Sequence, residues 1–524
     1  MTPPQNLPDY LFIGRASDIK NRRERFIYRA LEIVPGFLVW GTFISFIILS
    51  WLKPVWVSVF ILCFASYWIF KVIYLALHTR SAYKRMRLHE QINWMQRVKN
   101  LEPSEYTPLL KKWEDIWHLV IIPMYNESFE IVNQSFEALA DTDWPKDKMI
   151  VVLATEERAG EEARAVAEEI EKRYQDTFYR LAVTVHPDNL PGELAGKGSN
   201  ETWAGRYAQK EIIDSLNIPY ESILVSSMDA DTVVYPRYFS CVTYHFLTAE
   251  VPYRTSFQPV PFFINNIWQA PALSRISAFS STFWHIMNQE RPEKHLTFSS
   301  HSMPFTALVE IGFWQPNVVS EDSRIFWQCF LRFDGDYRVK GIYYPIAMDA
   351  NLARSFWRTM YNIYRQQRRW AYGVGDIPYF IFGYFKNGNI PFSRFWQYAW
   401  PVTEGFFSWA THSLLLFLLG WLPLWLGGDA FNETLFSYNL PRVTRVLMTI
   451  AMIGLVSSAY TSFLLLPPRP LAYGKWRYLV MVGQWFLIPI TLIFFGALPA
   501  IESQTRLMLG KYLGFWVTEK HRKA

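Results

Sequence analysis

The sequence predicts an α/β domain with a mostly parallel sheet, joined to an α-helical membrane region. Three observations lead to this fold class. The 524 residues include 18% aromatic and only 19% charged side chains, whereas soluble domains average about 25% charged residues. Long apolar runs lie towards both ends of the chain. Between them, residues 113–375 alternate short β-branched runs with helical patterns, which is typical of strands separated by crossover helices.

The soluble middle of the chain contains four short apolar runs that predict strands and one charged, amphipathic stretch that predicts an exposed helix. The predicted strands are 117–122, 149–153, 181–185 and 222–226, and the predicted helix is 161–174. Ligands of parallel sheets bind beyond the carboxyl ends of the strands. Polar residues follow three of these strands, at Tyr125 and Glu127, at Glu156, and at Asp229 and Asp231. This pattern favours a binding site at that edge.

Two apolar runs near the start of the chain are each long enough to cross a bilayer core of about 30 Å. Residues 33–51 contain no charged side chain, and residues 55–77 contain only Lys71. Basic residues lie before the first run and after the second, so both flanks are predicted to face the cytoplasm. The two runs therefore predict a hairpin in the plasma membrane, with the α/β domain on the cytoplasmic side.

Three further apolar runs follow the α/β domain, at 408–427, 446–466 and 478–501. Arg522 and Lys523 predict that the last residues are cytoplasmic, which conflicts with an odd number of spans. One solution is that 478–501 enters the membrane and returns, with Pro489 and Pro499 breaking the helix. The other is a sixth span near 392–410. The sequence therefore leaves four or six spans open.

Asp229 and Asp231 are the first candidates for chemistry. They stand at positions i and i+2 just past a buried strand, so both carboxylates can reach one hard divalent cation. Mg²⁺ and Mn²⁺ prefer such oxygen ligands and commonly also bind substrate phosphates. The alternative is a polar turn that binds no metal.

Ser320, Glu321 and Asp322 form the second candidate site, just before a helix predicted to start near Ile325. An acid at this position can act as a general base beside a metal site. The alternative is that it only caps the helix N-terminus.

Two further groups are candidates for binding phosphate. Arg369 belongs to a basic cluster at 365–370 that also contains Gln366 and Trp370. Arginine pairs with phosphate through its planar fork, and tryptophan offers a flat apolar face to a sugar ring. Contact with anionic lipid is the alternative for this cluster. Lys197 lies in a Gly-rich loop and can hold a diphosphate as a point charge, or the loop is a flexible surface turn.

Taken together and in this order, the motifs resemble those of the family 2 membrane-integrated glycosyltransferases, the group that includes cellulose and hyaluronan synthases. The matches are residues 121–127 for the opening strand, Lys197 for the Lys-Ala-Gly loop, Asp229 and Asp231 for DxD, 320–322 for TED with Ser in place of Thr, Gln366, Arg369 and Trp370 for QxxRW, and 515–520 for the FxVTxK gating loop of cellulose synthases.

The resemblance implies that the cytoplasmic domain has the GT-A (Rossmann-like) fold. It also implies that the protein is a hexosyltransferase that transfers a sugar with inversion. The donor would be a nucleoside diphosphate sugar, with a UDP-sugar favoured. The acceptor would be a growing polysaccharide or another glycan at the membrane, with membrane lipids as partners. The implied cofactor is Mg²⁺ or Mn²⁺.

The resemblance also implies roles for individual residues. The catalytic group would contain Asp322 as the base that deprotonates the acceptor, with Glu321, Arg369 and Trp370. The donor-binding group would contain Tyr125, Glu127, Glu156, Lys197, Asp229 and Gln366, and the metal ligands would be Asp229 and Asp231.

Two departures from the family pattern leave specificity open. The family usually has an Asp directly after the second strand, where it contacts the base, but here Glu156 is the first acid. Residues 298–302 lack the Cys of the acceptor motif in cellulose synthases. The alternatives are an enzyme that adds one sugar to a lipid acceptor without extruding polymer, and an inactive membrane scaffold or transporter. Nucleic acid is not expected as a partner, because many basic residues lie beside membrane spans.

The predicted domain organisation has six parts. They are a cytoplasmic N-terminal segment (1–30), a transmembrane hairpin (31–79), a linker (80–112), the GT-A domain (113–375), interfacial and transmembrane helices (376–501), and a cytoplasmic interface helix with the gating loop (502–524).

Overall fold

The computed structural model describes residues 7–522 and contains one eight-stranded sheet. Lys523, used above to predict topology, lies outside the described residues. The strands are β1 Trp117–Pro123, β2 Met149–Glu156, β3 Arg180–His186, β4 Ile223–Ser227, β5 Val233–Val234, β6 Thr255–Phe263, β7 His301–Pro304 and β8 Arg338–Met348. The four strands predicted from the sequence are confirmed as β1 to β4.

The sheet is mixed rather than mostly parallel. Its strand order is β3-β2-β1-β4-β7-β6-β8-β5. The first four strands are parallel, whereas β7 pairs antiparallel with both β4 and β6. Sequence periodicity did not reveal the second half, because β6 contains Pro259 and Pro261, and β5 and β7 are only two and four residues long.

Alternation along β1 explains why the sheet is covered on both faces. Leu119 and Ile121 pack into the core on one face, and Val120 and Ile122 pack into the core on the other. All four side chains are at most 1% exposed. Burial on both faces is typical of parallel strands flanked by helices.

Nineteen α-helices lie within residues 7–522. They are α1 Arg22–Leu52, α2 Pro54–Gln91, α3 Trp94–Asn100, α4 Phe129–Ala140, α5 Gly160–Tyr174, α6 Lys197–Tyr207, α7 Tyr238–Leu247, α8 Ala272–Gln289, α9 Phe305–Glu310, α10 Glu321–Arg332, α11 Phe356–Ala371, α12 Asp376–Asn387, α13 Phe392–Phe417, α14 Leu422–Leu426, α15 Gly428–Asn432, α16 Leu435–Leu464, α17 Arg477–Gly483, α18 Ile488–Leu492 and α19 Leu498–Met508.

Four helical stretches in the described chain are long and apolar enough to cross a membrane, namely α1, α2, α16 and the continuous run Arg477–Met508. A fifth is counted if α13 and the bent stretch Leu419–Leu426, which meet at 49°, form one span. The protein is therefore expected to associate with a membrane. The predicted boundary at residue 80 lies inside α2, which continues to Gln91, so the predicted linker begins as part of that helix.

The run Arg477–Met508 bears on the predicted re-entrant segment. The sequence led us to expect breaks in the helix at Pro489 and Pro499. Neither break is present, since helical turns continue through both residues. Near one end, Arg275 of α8 donates to Gln484 at 2.7 Å. Near the other end, Ser503 donates to the backbone carbonyl of Arg368 in α11 at 2.7 Å. The run is therefore one continuous helical stretch, long and apolar enough to cross a membrane, and the bend found in the described chain lies instead between α13 and Leu419–Leu426.

Candidate active site

Acidic side chains meet where β1, β4 and β8 end. The backbone N–H of Met228 donates to the carbonyl of Ile121 at 2.9 Å, so the chain that leaves β4 passes beside β1. Asp229 and Asp231 follow directly. The backbone N–H of Asp349, the first residue after β8, donates to Oδ2 of Asp231 at 3.0 Å. Asp231 is therefore fixed by the ends of two different strands.

Lys197 joins the DxD motif to the candidate base. Its Nζ lies 2.7 Å from Asp229, 2.8 Å from Asp322 and 3.7 Å from Glu201. We call these four residues the Lys197 cluster. The Lys197 side chain is 10% exposed. Burial alone would lower the pKa of Lys197, but the carboxylates of Asp229 and Asp322 outweigh it and raise that pKa well above its usual value. The lysine is therefore charged and holds the two aspartates together.

Burial and charge also act on Asp229. Burial alone would raise the pKa of Asp229, but the ammonium groups of Lys197 and Lys520 outweigh it and hold that pKa below its usual range. Asp229 is therefore ionised at neutral pH, as a ligand for a cation or a charged partner of the donor must be.

Glu321 stands at the start of α10, next to the cluster, and is only 1% exposed. Neither of its carboxylate oxygens has a hydrogen-bond partner within residues 7–522. Burial, reinforced by the neighbouring Asp322 carboxylate, raises the pKa of Glu321 to about 7. Glu201 is fully buried too, accepts a hydrogen bond from Ser227, and has its pKa raised by burial. The site thus contains one carboxyl group with a lowered pKa, Asp229, and two with raised pKa values, Glu201 and Glu321.

The raised pKa of Glu321 predicts a stability difference that depends on pH. Between its ordinary value of 4.5 and about 7, the folded state binds more protons than the unfolded state, so stability falls as pH rises through this window. Glu321→Gln removes this dependence. We expect it to unfold at the same temperature as wild type or lower at pH 5, and to gain ~2 kcal/mol relative to wild type at pH 8, measured by thermal unfolding.

Glu310→Gln is the matched control, because Glu310 lies on the surface at the end of α9. Its difference from wild type should not change between the two pH values. A difference for Glu321→Gln that stays constant from pH 5 to pH 8 would show that this carboxyl group titrates normally.

Residues 511–522, here called the C-terminal segment, lie across the other half of the site. Lys520 Nζ contacts Asp231 at 2.7 Å and Glu127 at 3.9 Å. Arg522 binds Asp349 with two hydrogen bonds of 2.6 and 3.0 Å. The segment therefore places two positive charges on the acids at the strand ends.

Aromatic residues of the C-terminal segment pack against α11 and the Lys197 loop. The guanidinium of Arg365 lies 4.7 Å from the ring centroid of Trp516, and that of Arg369 lies 4.9 Å from the ring centroid of Phe515. Phe515 also lies against Gly196, the residue before Lys197. The basic motif of α11 thus contacts this segment in the structure.

The contact at Gly196 predicts how the segment can be displaced. A methyl group at this position would overlap the ring of Phe515, so Gly196→Ala should move the C-terminal segment and release Lys520 from Asp231. We expect faster hydrogen exchange or proteolysis within 511–522. Gly514→Ala is the control, because nothing lies within 4 Å of the added carbon there. Equal protection in wild type and Gly196→Ala would contradict the prediction.

The remaining predicted site residues lie around this centre. Glu127 accepts hydrogen bonds from the backbone of Tyr125 and Asn126 at 2.8 and 3.2 Å. Glu156, the last residue of β2, binds Arg158 at 2.5 Å. Trp370 is partly buried with its ring centroid 6.2 Å from that of Phe263.

The QxxRW residues are less completely explained. Gln366 is partly buried. Nε of Arg369 is buried and makes no hydrogen bond to any described residue. An unpaired buried guanidinium nitrogen is costly, so a ligand with an acceptor oxygen would relieve it.

The loop before β7 touches the candidate base. Thr297 donates from its hydroxyl to the backbone carbonyl of Asp322 at 2.7 Å. Ser300 has a left-handed backbone, with φ of 62°, and its hydroxyl hydrogen-bonds Thr232 at 2.9 Å. Thr297 directly precedes residues 298–302, where the sequence departs from the acceptor motif of the cellulose synthases, so the backbone of Asp322 is held next to that stretch.

Sequence reasoning missed Asp349, Glu201 and Arg158. Asp349 has the same signal as the DxD motif, an acid directly after an apolar strand, and could have been found by that rule. Glu201 stands four residues after Lys197 on α6, a spacing that places both side chains on one helix face. Arg158 follows Glu156 with no pattern that marks it.

No group of three or more His, Cys, Asp or Glu side chains within residues 7–522 is arranged to hold a metal ion. The donor chemistry nevertheless suits Mg²⁺ or Mn²⁺, because Asp229 and Asp231 supply hard carboxylate oxygens. Asp231 already contacts a cationic group, the ammonium of Lys520. The residues present thus fit a divalent cation, with Lys520 balancing the charge in this structure.

Comparison with solved structures gives weak similarities. The mannosyltransferase PcManGT from Pyrobaculum calidifontis, in complex with GDP-Man and Mn²⁺, is 14% identical over 77% of this chain and 99% of its own, with a TM-score of 0.39. S. aureus TarS 1–349 in complex with UDP-GlcNAc is 12% identical over 66% of this chain and 92% of its own, with a TM-score of 0.29. GalNAc-T7 with UDP, GalNAc and Mn²⁺ is 9% identical over 55% and 57%, with a TM-score of 0.31.

No curated protein sequence matches the chain. A family model does. The model described as glycosyl transferase family group 2 matches residues 224–500, more than half of the sequence. The matched region begins within β4 and contains Asp229, Asp231, Asp322 and the basic motif of α11. The eight-stranded sheet of the whole domain, with its flanking helices, has the GT-A, Rossmann-like architecture expected from the sequence. The chain therefore belongs to glycosyl transferase family group 2 and is a glycosyltransferase.

Proposed function

We propose that this glycosyltransferase moves a sugar, with inversion, from a nucleoside diphosphate sugar to a growing polysaccharide or glycan acceptor at the membrane. The observation that carries the proposal is the position of Lys197, whose ammonium contacts both Asp229 and Asp322. One charged group therefore lies between the DxD motif, which would bind the donor, and the carboxylate that would accept the proton of the acceptor.

Asp322 is the proposed general base. Its carboxylate would take the proton from the acceptor hydroxyl as that oxygen attacks the anomeric carbon, and the bond to the diphosphate oxygen would break in the same displacement. The backbone of Asp322 is held by Thr297, and the side chain is oriented by Lys197. A base that is already held in position lowers the entropic cost of reaching a reactive geometry. No covalent intermediate is required.

Positive groups on three sides would stabilise the departing diphosphate. Lys197 lies beside Asp229 and Asp322, and Lys520 lies beside Asp231. Arg369 has a buried nitrogen without a hydrogen-bond partner among the described residues. Donors aimed at developing negative charge are the largest contribution in many transfer reactions.

Asp229 and Asp231 would hold Mg²⁺ or Mn²⁺, which would neutralise negative charge on the donor diphosphate when bound. The chain's own contribution is to keep Asp229 ionised through Lys197 and to fix Asp231 through the backbone of Asp349. Glu127 would order the turn at Tyr125 that borders the donor.

Polymer growth and export at the plasma membrane, with the catalytic domain in the cytoplasm, form the second part of the proposal. Support comes from α11, which carries Trp370 and is connected to α19 through Arg368 and Glu502 at 2.6 Å. Trp370 would stack on the acceptor sugar next to helices that are apolar enough to cross a membrane. We expect the predicted gating role of 515–520 to act through Lys520.

The proposal can be tested with the full chain purified in nanodiscs. Nucleoside diphosphate sugars are supplied with Mn²⁺, and release of the nucleoside diphosphate is followed together with product size on a gel. We expect turnover that stops with EDTA and a product longer than one added sugar. Release of diphosphate with a product of a single sugar on a lipid acceptor would retain the enzyme class and overturn polymer synthesis. No turnover with any nucleotide sugar would overturn the donor class.

A further inference from the structure

A cavity of about 330 Å³ lies between the ends of β1 and β2 and the C-terminal segment. This volume lies within the range of small-molecule sites in proteins. Its walls include Tyr125, Arg158, Arg358, Trp516 and Glu519. Its lining also includes Asn126, the residue before Glu127, and Glu519 is the residue before the Lys520 that contacts Asp231, so it would hold the nucleoside part of the donor under the proposed function, on which this inference rests.

Arg158 is the feature of this cavity that no family motif accounts for. Glu156 fixes its side chain through Nε at 2.5 Å, and the guanidinium lies 4.6 Å from the ring centroid of Tyr125. Two contacts therefore set both the direction and the plane of the guanidinium. An arginine held in this way presents its two terminal nitrogens as a rigid edge.

The terminal nitrogens of Arg158 are hydrogen-bond donors that require an acceptor. Nη2 of Arg158 is buried and makes no hydrogen bond within the described part of the chain. A guanidinium carries only donors, and a buried donor without a partner is costly. A ligand in the cavity that offers oxygen or nitrogen lone pairs would therefore be favoured, and one that offers an amino group would be disfavoured.

We propose that Arg158 reads the base of the donor and selects guanine over adenine. Guanine presents two neighbouring acceptors, O6 and N7, to the two donors of an arginine edge. Adenine places an amino group beside N7, so one of the two donors of the arginine edge would face a donor there.

This assignment also explains the departure after β2. The family usually has an aspartate there, which would accept hydrogen bonds from the base. Here the acid, Glu156, is 7% exposed and is paired with Arg158, so the group presented to the cavity is a donor. Glu156 is then a positioning residue, which acts on the base through Arg158.

The test measures binding of GDP, UDP, ADP and CDP to the full chain in nanodiscs with Mn²⁺, by isothermal titration calorimetry, so that it does not depend on the acceptor or on turnover. We expect GDP to bind at least about tenfold more tightly than ADP. Arg158→Gln should weaken GDP about tenfold or more and bring the affinities for GDP and ADP close together. Arg158→Lys, with a single ammonium donor, should lose the advantage of GDP over ADP.

Arg164→Gln is the matched control. Arg164 forms a comparable pair with Glu161 at 2.8 Å, but this pair lies exposed on α5 and away from the cavity. It should leave all four affinities unchanged. A separate variant, Glu156→Gln, should flatten the order of the bases while the protein keeps its melting temperature within a few degrees.

Binding of ADP as tightly as GDP by the wild-type protein would overturn the inference. So would an unchanged order of bases in Arg158→Gln. Either result leaves the proposed function standing, because a nucleoside diphosphate still binds. If none of the four nucleotides binds and no nucleotide sugar is turned over, the proposed function fails as well.

Discussion

Replacing Asp322 by Asn is expected to reduce sugar transfer by about two to four orders of magnitude. The amide keeps the size of the side chain but cannot accept the proton of the acceptor hydroxyl. Binding of the donor should remain, since Asp229 still contacts Lys197. The measurement is release of nucleoside diphosphate under single-turnover conditions, together with a separate titration of nucleotide binding.

The control for this variant is Asp176→Asn, because Asp176 is exposed and lies in the turn after α5. It should transfer sugar at the wild-type rate. If Asp322→Asn turned over as fast as this control, another group would have to be the base, and Glu321 would be the first to examine.

Replacing Lys197 by Met should cost stability as well as activity. The lysine is the shared partner of the buried Glu201 and the partly buried Asp229 and Asp322, so its removal leaves three carboxylates facing one another. Breaking a buried ion pair by removing one partner typically costs about 3–5 kcal/mol. We expect a clear fall in melting temperature at pH 8, measured by differential scanning fluorimetry. Mn²⁺ should restore part of it, because a divalent cation can take over the neutralising role.

Lys210→Met is the control, since Lys210 is exposed and pairs only with Glu211, at 3.3 Å. Its melting temperature should match wild type with and without Mn²⁺. A Lys197→Met protein that melts at the wild-type temperature without metal would show that the carboxylates do not depend on this ammonium.

Part of the fold could be predicted from local patterns, and part could not. Strands β1 to β4 are apolar runs buried on both faces, and their signal lies within a few residues. Strands β5 and β7 are very short, β6 contains two prolines, and β8 is unusually long. These strands form because distant segments of the chain pair. Pairing of β6 with β8 joins residues more than eighty positions apart, which no local pattern contains.

The same distinction holds for the site. Asp229 and Asp231 were predicted because both stand just past one strand. The pairing of Lys520 with Asp231 joins the end of the described chain to its middle, and only the resemblance of 515–520 to a gating loop pointed to it. The two hydrogen bonds from Arg522 to Asp349 could not be predicted in this way, because neither residue belongs to a family motif.

One connection in the structure would couple the membrane to the proposed donor site. The C-terminal segment follows α19 within a few residues, and Arg368 ties α19 to α11 through Glu502. A ligand that shifts Lys520 or Phe515 should therefore also move α19, which belongs to a run apolar enough to cross a membrane. Such coupling is reciprocal. A change in lipid thickness or lateral pressure that moves α19 should therefore change the affinity for the donor. Enzyme assayed in micelles and in bilayers would then differ in apparent affinity without any change in sequence.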